Sequence, residues 1–160
     1  INGMVNEDDY DALPLVILLP ETDNITLLEM QGAVSEKGAE MGLNPLTVSV
    51  VDDGGNLKTF ARADGPGAAL RPQVATGKAF GAVGMGRSSR QLGALFEERP
   101  NFGTALVGAS DGRIVPVPGG VLIMNGDEIV GAVGVSGDTS DNDEAAAVAG
   151  IEAAGLTAGV

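Results

Sequence analysis

The sequence predicts an α+β domain built on an antiparallel sheet, and three features say so. Asn125-Gly126 stands between two apolar runs, VLIM (121–124) and the stretch DEIVGAVGVS (127–136), a strong hairpin signal. The turn DDGGN (52–56) between LTVSVV (46–51) and LKTFA (57–61) marks a second hairpin. Helix-start patterns, Thr26 with Glu29 and Ser88 with Gln91, flank these strands. Hairpins impose antiparallel pairing, so a parallel Rossmann sheet is excluded.

Residues 1–24 read as an arm in which the acidic NEDDYD (6–11) precedes the apolar LPLVILLP (13–20), bracketed by prolines. Such an apolar strip packs on its own domain or on a neighbouring subunit. Residues 25–160 form the single domain. Its first helix is expected to start at Thr26, to keep Leu27, Met30, Val34 and Met41 on one face, and to stop at Gly42. After the first hairpin, a loop from Arg62 leads to a helix with Pro72 in its first turn, running to about Val83. Ser88 and Gln91 open a short helix that Pro100 ends. The prolines of RIVPVPGG (113–120) suit an edge strand or a strand end. The second hairpin follows, then an Ala-rich helix through Ala154 capped by Ser140 or Asp138.

Composition narrows function by exclusion. The chain has 160 residues, 44% hydrophobic, with 25 glycines and 3% aromatics, so its core is built from Val, Leu, Ile, Ala and Met. With 22 acids against 9 bases the net charge is −13, which repels nucleic-acid phosphates and anionic lipid. No run reaches the roughly 18–20 apolar residues of a membrane span. The acidic start is unlike the basic head of a signal peptide, so a cytoplasmic location is expected, with secretion after removal of a signal peptide left open. There is no Cys and no His. That removes thiolate nucleophiles, disulfides, the Ser-His-Asp triad, and His- or Cys-ligated metals.

The stretch GAVGVSGDTSDNDE (131–144) poses the chemical question. Its glycines, Gly131, Gly134 and Gly137, do not match a dinucleotide fingerprint, and Asp138 stands where a phosphate loop needs Lys. Ser136 has no histidine to activate it, and a calcium loop starting at Asp138 would lack its acid at Ala149. What fits is a strand ending in a tight turn, with Asp141, Asp143 and Glu144 in the first turn of a helix, where carboxylates complement the dipole. Gly131 and Gly134 would let another backbone pack closely. Asp143 and Glu144 remain the pair to consider for a hard cation.

Taken together, SVVDDGGNLKTFARADG (49–65), ATGKAF (75–80) and VPVPGGVLIMNGDEIVGAVGVSGDTSDNDEAAAVAG (115–150) resemble the GlcG/HbpS-type haem-degrading family, which includes the C-terminal domain of PduO-type proteins. The resemblance covers residues 25–155. It implies a profilin-like α+β fold, a central antiparallel sheet of about five strands with helices on its faces, and a homo-oligomer, dimer or larger. It also implies haem binding, here without a histidine ligand. The chain departs from the family's usual pattern at Ala63, at Leu122 and over GPGAALRPQ (65–73).

Matching motif positions point to Arg62, Asp64 and Lys78, with the Gly119-Gly120 backbone, as the site. Two cations beside a glycine turn suit a carboxylate clamp, and Lys78 with Asp64 could perform acid–base work. The alternative is an ion pair of Arg62 or Lys78 with Asp52 or Asp64. The expected function is therefore an oligomeric small-molecule-binding accessory or sensor protein, for haem or another planar, carboxylate-bearing metabolite. The alternative is an enzyme acting on a small organic acid or aromatic metabolite through Lys78, Asp64 and Arg62.

Overall fold

The structure is a computed structural model that describes residues 23–160. The arm expected over residues 1–24, with its apolar run 13–20, lies outside the described residues save for Asp23 and Asn24, which already belong to the first helix. The elements run α1 (Asp23–Glu40), β1 (Thr47–Asp52), β2 (Leu57–Arg62), α2 (Arg71–Met85), α3 (Ser89–Glu98), α4 (Pro100–Ala109), β3 (Gly120–Asn125), β4 (Glu128–Ser136), α5 (Ser140–Ala153) and β5 (Thr157–Gly159). The five strands form one antiparallel sheet in the order β2-β1-β4-β3-β5. Both expected hairpins are present, β1 with β2 and β3 with β4, the latter turning at Gly126 with φ +61°.

Alternation along the central strands sorts side chains into two layers. Val48, Val50, Val121, Ile123, Val133 and Val135 pack with Leu27, Met30 and Val34 of α1 and Ala146, Ala147 and Ile151 of α5. On the opposite face Val51, Leu122 and Ala132 meet Ala79 and Ala82 of α2. The sheet is thus sandwiched, with α1 and α5 on one side and α2 on the other.

Five local expectations need correction. Thr26 lies inside α1, because the chain is already helical from Asp23; a Thr followed by Glu at i+3 is also an ordinary pair of helical neighbours. Met41 falls past the helix end and is exposed, while Gly42 closes the helix with φ +70° and Leu43 N–H reaching back to the Gly38 carbonyl. Pro100 ends α3 but also begins α4, a helix the sequence did not announce. Residues 113–119 join no strand; the fifth strand is the short C-terminal β5, beside β3.

The last helix is capped by neither Ser140 nor Asp138. Thr139 Oγ1 accepts from Asn142 N–H at 3.3 Å. Asp138 instead accepts from the Asn142 side chain at 2.7 Å, the Thr139 N–H at 2.8 Å and the Asn44 N–H at 3.0 Å. Those donors, Asn142 foremost, hold its carboxyl down at about 2.

Candidate functional site

The helix α2 has two faces with separate duties. Ala75, Lys78, Ala79 and Ala82, spaced three and four apart, are buried toward the sheet. A second stripe, Gln73, Thr76, Gly77 and Phe80, lines a cavity of about 510 Å³. That volume falls within the roughly 300–1,000 Å³ of small-molecule sites.

On the buried stripe, backbones meet almost directly. A Cβ on Gly134 of β4 would overlap the Ala75 carbonyl and come within 2.8 Å of the Ala79 nitrogen. One on Gly120 of β3 would overlap the Lys78 carbonyl. Gly131 and Gly137 are equally crowded, by the Val51 and Pro45 carbonyls respectively. The glycines of the 131–137 stretch therefore admit neighbouring backbones rather than phosphates.

Among the described residues Lys78 is the largest fully buried side chain, with only 2% of its area exposed. Its ammonium donates to the Val135 carbonyl at 2.8 Å and to Asp143 Oδ2 at 3.0 Å, and the Asp143 side chain is 3% exposed. Asp143 Oδ1 accepts from the Asp138 N–H at 2.9 Å. Gly119, at φ +117°, makes room for the pair, since a Cβ there would lie 2.8 Å from Lys78 Nζ and 3.1 Å from Asp143 Cβ. Burial first of all pushes the Lys78 pKa down, against the opposing pull of Asp143. The Asp143 carboxyl is raised, again chiefly by burial.

The predicted residues thus separate. Lys78 and Gly119 come together, but with Asp143 as the acid and not Asp52 or Asp64. Arg62, at the end of β2, and Asp64, in the loop beyond, are both exposed and give Lys78 no contact. Asp52 instead caps its own hairpin turn through Gly54 and Asn56 and pairs with Lys58 at 3.6 Å. Glu144 is bound by Arg90 of α3 at 2.8 Å, and the same guanidinium holds Asp141. The α5 acids therefore staple α2 and α3 to the helix start. Among the described residues no three His, Cys, Asp or Glu side chains group as a metal site would need.

Sequence reasoning did not find the cavity. Besides the α2 stripe it is lined by Leu70, Pro72, Val74, Gly55 of the β1–β2 turn, and Gly112, Arg113 and Val115 of the loop after α4. The Arg113 guanidinium lies over the Phe80 ring, 4.0 Å from its centroid, and its Nε donates to the Ser110 carbonyl at 3.0 Å. No helical pattern marks the cavity, because Val74 and Phe80 stand about 120° apart around α2 and the rest of the lining comes from loops distant in sequence.

The family model described as "Haem degrading protein HbpS-like" matches residues 24–152. The chain belongs to the HbpS-like family. Its fold is shared with PduOC, solved in complex with haem, at 23% identity and a TM-score of 0.74, covering 85% of this chain and 96% of that one. The Klebsiella pneumoniae protein ORFY is similar at 25% identity and a TM-score of 0.72, over 82% of this chain and 89% of that one. HbpS itself is similar at 24% identity and 0.71, over 84% and 91%. No curated protein matches the chain in sequence. No helix among the described residues is long and apolar enough to cross a membrane.

Proposed function

We propose that this HbpS-like protein is a small-molecule-binding accessory or sensor protein, assembled as a homo-oligomer, whose ligand is haem or another planar, carboxylate-bearing metabolite. The observation that carries this is the α2 cavity: an apolar recess of about 510 Å³ with one cation, Arg113, in its wall. Leu70, Val74, Phe80 and Val115 would cover the flat face of such a ligand, and Arg113 would hold a carboxylate. Haem binding by PduOC, a structural neighbour, is consistent with that ligand class. The enzyme alternative rests on Lys78, whose ammonium lies buried on the other stripe of α2 against Asp143, away from the cavity.

Titration with ferric haem, followed at the Soret band, tests the proposal. The expected result is saturable binding, one ligand per chain, at micromolar or poorer affinity. Val74→Trp, which puts an indole into the cavity, should abolish it while the fold persists by circular dichroism. No saturable binding by the unsubstituted protein, or binding untouched by Val74→Trp, overturns it.

A further inference from the structure

We infer that the α2 cavity recognises the flat apolar faces and a carboxylate of a porphyrin-type macrocycle and offers no ligand to a metal at its centre, so that the metal-free ring and its iron complex bind alike. The inference rests on the function proposed above and concerns what the site reads in its ligand.

The lining decides the matter. The chain holds no His and no Cys, and no Tyr, Met, Lys, Asp or Glu is among the residues that line the cavity. These are the side chains that bind iron well. The remaining oxygen and nitrogen candidates are Thr76, Gln73 and Arg113. The Thr76 hydroxyl is turned inward, donating to Ser49 Oγ on β1 at 3.1 Å. Gln73 offers a neutral amide, a weak donor to a metal, and a guanidinium has no lone pair to give. The site therefore does not fit haem as a metal-ligating site, although it fits haem as a flat acid.

What the cavity does offer is aimed at the ring and its acid groups. Phe80, with the Arg113 guanidinium over its ring, lines the cavity together with Leu70, Val74 and Val115. Among the described residues the one hydrogen bond of the Arg113 side chain runs from Nε to the Ser110 carbonyl. Its terminal nitrogens meet no carboxylate among the described residues, in a chain where acids outnumber bases 22 to 9. A cation left without an acid beside an apolar recess is complementary to an anionic, planar ligand.

The test compares protoporphyrin IX with ferric haem, titrated into the full chain and followed by porphyrin emission and by absorbance. The expected dissociation constants agree within about threefold, the ferric complex is high-spin, and Arg113→Gln weakens both rings by the same factor. That factor should be about tenfold or more, the cost of one charge-assisted hydrogen-bonded pair. Arg113→Lys should recover only part of it, because an ammonium lacks the guanidinium's planar fork. Haem binding tenfold tighter than the metal-free ring, or a low-spin ferric spectrum, overturns the inference and leaves the function proposed above standing. So does Arg113→Gln weakening haem alone. Saturable binding of neither ring overturns the function itself.

Discussion

At the scale of single residues, the Lys78–Asp143 pair carries the clearest energetic consequence. Two opposite charges with almost no exposed area gain little over an apolar pair, yet removing one partner strands the other in the interior. Lys78→Met is expected to cost roughly 3–5 kcal/mol at neutral pH by chemical denaturation. The deficit should depend on pH with a definite sign. The Asp143 carboxyl is already raised above 3.8 in the folded state, chiefly by burial, and loses in the variant the ammonium that draws it back down. A raised folded pKa means that the native state takes up the proton first. The variant therefore recovers stability relative to the parent as pH falls toward 3.8, and the deficit is largest above the raised pKa. Adding Asp143→Asn to Lys78→Met should recover most of the loss at neutral pH, since the amide oxygen can still accept from the Asp138 N–H. A deficit that does not change with pH, and no recovery in the double variant, would show that the pair's charge is not what matters.

At the scale of elements, glycine decides how closely α2 lies on the sheet. Gly134→Ala would drive a methyl into the Ala75 carbonyl, a backbone group that cannot swing aside. The expected loss is roughly 1–3 kcal/mol, with α2 lifted from β4. Gly84→Ala, in the same helix but with nothing within 4 Å of the added carbon, should instead stabilise by about 0.4–1 kcal/mol through the unfolded chain. Thermal denaturation of both variants checks the contrast, and an equal effect would remove the close-packing explanation.

The same helix shows what the sequence made legible. Its proline start, the Ser88–Gln91 box and both hairpins stand where the sequence put them, because each is a local signal: a ring-fixed φ, a hydroxyl three residues from an amide, a turn glycine. The α4 helix was missed because Pro100 ends one helix and starts the next with the same ring. β5 was missed because three small residues acquire strand character only from β3 beside them. Lys78 lies beside Gly119, but its acidic partner is not legible in the sequence. Asp143 lies 65 residues away in sequence from Lys78, and first-turn acids have a sufficient local explanation in the helix dipole. Arg62 and Asp64 are singled out by motif position, which does not say what a side chain at a strand end or in the following loop meets.

At the scale of the whole molecule, the described sheet ends in two edge strands, β2 and β5. Among the described residues β2 has one neighbour, β1, and it exposes Leu57 at 56% and Phe60 at 39% of their areas. Natural edge strands that are left uncovered and apolar pair with another chain unless charge or shape prevents it. The countervailing force here is long-range: a net charge of −13 makes two copies repel at distances where no contact has formed. That repulsion is screened over about 10 Å at 0.1 M salt, whereas apolar burial at an edge is not weakened by screening. Association of this chain should therefore rise with ionic strength, opposite to an interface held by ion pairs. Sedimentation velocity across a salt series is expected to show a dimer or larger species gaining population as salt increases. Phe60→Lys, which places a charge on the open edge at a partly exposed position, should shift the equilibrium toward monomer while leaving stability within about 0.5 kcal/mol. A monomer at every salt concentration would remove the homo-oligomer, and a dimer indifferent to Phe60→Lys would take the interface off β2.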